Sequence, residues 1–240
     1  HQGRPSTIYD ASCDGTWLLM KDIYESRQWH SSNVNDYENS TIHAYLNSTF
    51  LNLFDTNIKN AIKQVKLPYR KGSGYGTTVT SGANGLSARI FLLSAPEAGF
   101  TTASTSYNPM DGAETTYFKD CADASSAADS KRVAYLNGSA TLWWLRSPYC
   151  NSAYGSTRAF SVSTNGDWFN YNCSRSYGIR PALVLPSSLL VSDDGSISTN
   201  TAPSTPGSIT VPTSIMGGTT ITIKWGTSTD AESNLAGYKV

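Results

Sequence analysis

An excess of charge of either sign is missing from this 240-residue chain, in which 18 Lys and Arg balance 18 Asp and Glu. No block of Lys and Arg runs along any segment, so the electrostatic footprint of a nucleic-acid binder is absent and nucleic acid is excluded as a partner. No apolar run approaches the roughly 18 residues that a membrane-spanning helix needs. The opening HQGRPSTIYD carries neither the basic flank nor the apolar core of a signal peptide. His1-Gln2 does not read as a natural beginning, which places the expected start upstream. Cysteine is scarce, and Cys13, Cys121, Cys150 and Cys173 form no CxxC pair, which argues against a structural zinc site. Histidine is scarcer still. Beyond His1 there are only His30 and His43, neither of them in an HExxH or nucleophile-elbow context. The run GSGYG at 72–76 has neither the GxGxxG pattern nor the lysine of a phosphate loop. The chain thus offers no catalytic residue, no metal set and no cofactor motif, and a non-enzymatic role is expected.

What is present suffices for one large core, or a core with a small appendage, since 39% of the residues are hydrophobic. Residues 16–24 (TWLLMKDIY) are apolar and β-prone after Gly15, which predicts a buried strand near the start. Asn39 or Ser40 can cap a helix whose Ile42, Tyr45, Leu46 and Thr49 or Phe50 fall at helical spacing. A second helix is predicted from Thr56, with Ile58, Ala61, Ile62 and Val65 on one face and Leu67-Pro68 as its stop. Residues 88–93 (ARIFLL) read as another buried strand, and the polar stretch 101–129 as a long loop with a strand-like piece at 115–118. Strands follow at 132–136, 141–146, 157–163 and 167–171, the last two joined by Asn165-Gly166, the strongest short hairpin signal. Residues 179–185 close the sheet. The Ser/Thr/Asp/Pro-rich residues 187–206 read as a linker after a first domain at 1–186. Residues 207–240 alternate like the first strands of an immunoglobulin- or fibronectin-like β-sandwich, which needs about seven strands, so an incomplete domain is expected there.

Two apolar, strand-forming runs, WWLRSP at 143–148 and GIRPALVLP at 178–186, frame an insert of a different kind. Residues 149–177 are a mixture of Tyr, Ser, Asn, Gly, Arg and Phe, the types that binding surfaces use for adaptable contacts on a rigid support. Aromatic rings offer large contact area with two torsions to freeze, while Ser, Asn and Gly hydrogen-bond at low entropic cost. Tyr149, Tyr154, Phe169, Tyr171 and Tyr177 are the expected anchors, with Arg158 and Arg175 as charged contacts. Asn151, Ser152, Ser156, Asp167, Asn172 and Ser174 complete the expected ligand-binding set. Strand alternation turns Phe160 and Val162 inward and Phe169 and Tyr171 outward. Arg146 and Arg180 belong to the frame, bonding backbone carbonyls or a carboxylate beneath the surface, and Trp144, Val162 and Trp168 hold the fold with them. Cys150 and Cys173 bracket the insert, and two readings stay open: a disulfide that closes it, or buried thiols.

The pairing of WWLRSP with GIRPAL resembles the ending of formylglycine-generating-enzyme-like C-type lectin domains. Upstream, WLLMKDIYESRQW, YENSTIHAYLNSTFLNLF, NGLSARIFLLSAPEAG and KRVAYLNGSA resemble uncharacterised bacterial and phage domains of that kind, and the likeness spans 17–186. It implies an α+β C-type lectin fold: two helices plus small antiparallel sheets with long loops. One group in that class is the variable proteins of diversity-generating retroelements, whose varied codons descend from asparagine codons and exclude Lys, Glu, Gln, Met and Trp. Between Ser147 and Arg180 the chain has no Lys, Glu, Gln or Met, where average composition would place about three. Trp168 departs from that rule and is expected as framework.

The resemblance implies a phage or bacterial protein on a virion or cell surface that binds a host or neighbouring-cell surface protein or glycan, as a homo-oligomer or virion component. It also implies two rivals: an invariant structural or adhesive domain, and a cysteine-dependent oxidase of the formylglycine-generating type. Neither Cys150 nor Cys173 matches that enzyme's cysteine pair residue by residue. The EPN or QPD triplet and WND segment with which sugar-binding C-type lectins hold calcium are absent, and Asp111-Gly112 and Asp193-Asp194-Gly195 read as turns.

Overall fold

Short apolar runs separated by Gly, Ser and Asn favour strands over long helices, and the chain is built mostly of strands in several sheets. The structure, a computed structural model, describes residues 3–72, 78–101, 110–122, 128–150, 155–191, 197–199, 203–208 and 226–229. The chain divides into two units, His1–Ser187 and Ser188–Val240. In the first unit the strands are β1 (Thr16–Leu19), β2 (Glu25–Gln28), β3 (Val65–Leu67), β4 (Tyr69–Arg70), β5 (Val79–Thr80), β6 (Leu86–Ala88) and β7 (Ile90–Phe91). After a long connection come β8 (Tyr135–Leu136), β9 (Ser139–Ala140), β10 (Trp143–Tyr149), β11 (Arg158–Val162), β12 (Trp168–Asn172), β13 (Ser176–Ile179) and β14 (Ala182–Leu185).

Two sheets take eight of these strands, and the other six pair as β3-β6, β4-β5 and β8-β9. A five-stranded sheet runs β12-β11-β10-β13-β2, antiparallel except where β10 meets β13, and a three-stranded antiparallel sheet runs β1-β14-β7. The single closing strand expected at 179–185 is split between the two sheets. Pro181 marks the break because it has no N–H for a ladder, and its carbonyl accepts instead from Met20 N–H at 2.9 Å. The strand expected at 16–24 likewise ends at Leu19, and the one expected at 88–93 divides into β6 and β7. The piece at 115–118 is a turn. Between the sheets lies an apolar core in which Trp17 meets Tyr9 and Phe91 edge-on at 5.6 and 5.2 Å.

The two-helix α+β lectin architecture implied by the resemblance does not hold. Among the described residues α-helix is confined to two short segments. Ser40 caps the first as expected, its hydroxyl accepting from His43 N–H at 3.1 Å. Only Thr41–Tyr45 (α1) winds as α-helix, however; Leu46–Phe50 widens to a π turn and Leu51–Leu53 tightens to a 3-10 turn. Asn47 explains the change of winding: its amide donates to Ile90 carbonyl at 2.9 Å and accepts from Arg89 N–H at 2.7 Å, tying the segment to a strand. The second helix, α2, spans only Thr56–Ala61 and buries no residue. Val65, placed on a helical face by its spacing, pairs with Ala88 in β3, where Val65 and Leu67 are buried and Lys66 turns outward at period two.

The second unit contains an antiparallel strand pair, β15 (Leu189–Val191) with β16 (Ile197–Thr199), inside the stretch expected as linker. Ser204 N–H donates to Thr229 carbonyl at 2.8 Å. Of the residues 207–240 expected to begin a β-sandwich, only 207–208 and 226–229 are among the described residues.

Charged groups penetrate the core of the first unit. Arg146 of β10 is buried and pairs with Glu97, donating from Nη2 to Glu97 Oε1 at 2.6 Å and from Nη1 to Glu97 Oε2. It also donates to the carbonyls of Leu92, Asp111 and Pro68 at 3.0, 3.0 and 3.2 Å. Glu97 accepts in addition from the Tyr9 hydroxyl at 2.6 Å and from Ser94 N–H at 2.9 Å. Ser147 receives Ala95 N–H at 2.8 Å and donates to the Asp111 carboxyl at 2.8 Å. Arg146 therefore serves the frame, as its position in WWLRSP suggested.

Burial pushes the Asp111 carboxyl up to about 7, with Arg146 and Ser147 opposing it. The folded state thus holds a proton that the unfolded chain releases near pH 4. Asp111 contributes stability that is complete below about pH 4 and is lost as pH rises through about 7. His43, held below its ordinary value by burial, acts in the opposite sense over part of this window. The difference between wild type and Asp111→Asn isolates the acid. Between pH 5 and 8 the urea midpoint of wild type is expected to fall relative to that of Asp111→Asn, and parallel curves would refute the assignment.

Candidate functional site

The hairpin that carries the insert is set by its turn. Gly166 sits at φ +83°, and an added Cβ would lie 1.9 Å from the Asp129 carbonyl oxygen, so only glycine fits. Buried Arg132 ties this turn to the core, its guanidinium donating to the Gly166 carbonyl at 3.4 Å and to the Ala98, Ala122 and Gly99 carbonyls at 2.7, 2.8 and 3.0 Å, and stacking on Phe100. Strands β11 and β12 then run in register from Val162↔Trp168 to Arg158↔Asn172.

This register sorts the insert onto two faces. Phe160 and Val162 point into the core, with Trp168 packed against them and its ring 5.8 Å from Phe160. Tyr149 lies on the same inner side. It is 7% exposed, and its ring meets Phe160 edge-on at 5.3 Å, so the expected anchor is a core residue. On the opposite face, Phe169, Tyr171, Tyr177 and Trp144 form a row with centroids 4.9, 4.7 and 5.1 Å apart. Ala159, Ser161 and Trp144 are buried beneath as a floor, while Phe169 is 48% exposed. Trp144 is fixed by its Nε1 donating to the Arg27 carbonyl at 3.0 Å.

Beyond Tyr177 the row continues onto β2, where Arg27 stands opposite Tyr177. Its guanidinium donates to Glu25 at 2.6 Å and lies 3.4 Å from the Tyr45 ring centroid. Burial raises the Glu25 carboxyl, but hydrogen bonds from Tyr45 and Arg27 outweigh it and hold the group below the ordinary range. Burial, and then the neighbouring Tyr171 hydroxyl, push the Tyr177 phenol up, leaving it a neutral donor and acceptor. The row therefore combines aromatic area, neutral hydroxyls and one ion pair at its edge.

The other residues of the expected set fall elsewhere. Arg158 is half-buried on the core side of the hairpin and donates to Asn170 Oδ1 at 2.8 Å. Ser156 and Asn172 are half-buried at the same end, where Ser156 carbonyl accepts from Asn35 N–H at 2.7 Å. Asp167 sits at the far end, its carboxylate accepting from Trp168 N–H at 2.7 Å. Ser174 and exposed Arg175 form the turn after β12, held to the upstream loop by Ser174 N–H on Asn33 Oδ1 at 3.1 Å and to β2 by the Gln28 amide on the Ser174 carbonyl at 2.8 Å. Asn151, Ser152 and Tyr154 lie outside the described residues. Arg27, Glu25 and Tyr45 were not in the set because nothing local marks them; the pairing of β2 with β13 brings them to the row.

All four cysteines are free, which removes the disulfide across the insert. Burial raises the Cys150 and Cys173 thiols, which keeps them protonated near neutral pH. Among the described residues no three His, Cys, Asp or Glu gather to hold a metal, and no helix is long and apolar enough to cross a membrane.

No curated protein and no solved structure matches the chain. A family described as a domain of unknown function, DUF6273, matches residues 14–187. Those residues take in both sheets, the buried Arg146 network except Tyr9, and the aromatic row, and the chain belongs to the DUF6273 family.

Proposed function

We propose that this chain is a non-enzymatic receptor-binding or adhesion protein whose aromatic row meets a surface protein or glycan of another cell. The observation that carries the reading is the ordering of Phe169, Tyr171 and Tyr177 over a buried Trp144 floor. Rings held in advance lose little freedom on binding, and aromatic residues dominate the energetics of recognition surfaces. The raised thiols of Cys150 and Cys173 work against an oxidase, since the thiolate is the reactive form. We extend the reading to a diversified surface displayed by a virion or cell. In its support, Trp168, which asparagine-codon mutagenesis does not produce, packs against the core.

The test is a titration of labelled protein onto a glycan array and onto intact bacterial cells. Phe169→Ala/Tyr171→Ala is expected to weaken binding about 30-fold, corresponding to roughly 2 kcal/mol at a hot spot. The same variant should lower Tm by no more than about 4 °C, because Phe169 stands half in water. Unchanged binding by the variant, or no binding of either probe by wild type, sinks the proposal.

A further inference from the structure

A second site lies on the three-stranded sheet, away from the aromatic row. A pocket of about 300 Å³ opens there, lined by Trp17, Leu19, Leu93, Phe118 and Ala182, with Arg180 among them. Lys21 and Tyr117 also line it, and the 57% exposure of Tyr117 marks an open mouth. The volume is that of a small-molecule site, and mostly apolar walls with a few polar groups are the usual composition of one.

Arg180 is the unusual feature. The residue is 4% exposed, its guanidinium lies 5.0 Å from the Trp143 ring, and its Nε donates to the Met20 carbonyl at 2.8 Å. Its Nη1 is buried and has no hydrogen-bond partner among the described residues. No carboxylate there stands within ion-pairing distance of it. Arg146 also keeps one buried unpartnered nitrogen, Nε, but its charge is met by Glu97 and its other nitrogens by three carbonyls. A buried donor left unmatched is costly, and such a group in a native protein calls for a partner. Arg180 is among the residues that line the apolar pocket, and a second cation, Lys21, lines it as well.

We propose that this pocket binds an amphiphile with a single carboxylate on an apolar body, such as a medium-chain fatty acid. The carboxylate would lie against Arg180, whose fork of donors matches its geometry, and the hydrocarbon against Trp17, Leu93 and Phe118. Lys21 adds long-range attraction from the mouth. The small volume favours one short chain over a peptide or a bilayer surface.

Calorimetric titration of the full chain with octanoate and with octanol at pH 7.5 tests this. Octanoate is expected to saturate and to bind roughly 10- to 100-fold more tightly than octanol, the ratio that a charge-assisted hydrogen bond supplies. Arg180→Met should reduce octanoate to the affinity of octanol. If that variant fails to fold, Lys21→Met at the mouth should weaken octanoate about threefold, through lost surface electrostatics, and leave octanol unchanged. Phe169→Ala/Tyr171→Ala should leave octanoate affinity intact, which separates this site from the aromatic row. Equal affinity for octanol and octanoate, no saturable octanoate binding, or full octanoate affinity in the folded Arg180 or Lys21 variant overturns the proposal.

Discussion

Replacing Arg146 with Met is expected to leave the first unit unfolded or close to it at 25 °C. The substitution strands Glu97, which is buried and keeps only the Tyr9 hydroxyl and Ser94 N–H as donors. Breaking a buried ion pair from one side costs about 3–5 kcal/mol, because the remaining charge loses its partner without regaining water. The carbonyls of Leu92, Pro68 and Asp111 lose donors as well. A domain has only about 5–15 kcal/mol in total, so the loss consumes most of it. Burial alone would disfavour the Arg146 charge, but Glu97 outweighs burial and holds the guanidinium protonated. Arg146→Met/Glu97→Met removes both charges and should recover part of the loss, since paired buried ions can often be replaced by apolar groups at little net cost. Urea unfolding of the two variants decides the matter. A midpoint for Arg146→Met within about 1 kcal/mol of wild type would show that the network is not what holds the sheets together.

The fold was legible where local chemistry decides the outcome. Asn165-Gly166 announced the hairpin because only glycine accepts φ +83° against the Asp129 backbone, and Phe160 and Val162 turned inward because strand alternation leaves them no other side. Ser40 announced a helix start. The length of the helices was not legible. Ile58, Ala61, Ile62 and Val65 satisfy helical spacing, yet Val65 and Leu67 also alternate, and a partner strand at Leu86–Ala88 wins the competition. The pairing of Arg146 with Glu97 was hidden by a separation of 49 positions, and the use of Ser147 by Asp111 by one of 36. Within the site, Phe169 and Tyr171 were readable from residue type and strand face, and Tyr177 from residue type alone. Tyr149 misled because a tyrosine beside a loop looks like an anchor, while the inner register of β10 decides its burial. Arg27 was invisible for the converse reason: its role depends on a strand pairing that spans most of the chain.

Trp144→Ala should produce the second large loss, about 3–5 kcal/mol, as expected for truncating a fully buried tryptophan whose surroundings collapse only in part. Trp144 stands opposite Ser161 on the face that carries the row, so its deletion opens a cavity beneath Tyr177. The Arg27 carbonyl loses the indole donor at the same time, which loosens β2 where Arg27 meets Glu25 and Tyr45. Trp144→Phe keeps most of the ring and removes the hydrogen bond, so it should cost about 1–3 kcal/mol. Phe169→Ala, on the wet side of the row, should cost less than either. Denaturant midpoints of the three variants, read with near-ultraviolet circular dichroism as the report on ring packing, check this order. The order matters because the proposed surface requires a rigid floor under exchangeable side chains. Equal losses for Trp144→Ala and Trp144→Phe would place the energy in the hydrogen bond instead of the ring, and Phe169, Tyr171 and Tyr177 would then have no packed support that orders them before a ligand arrives.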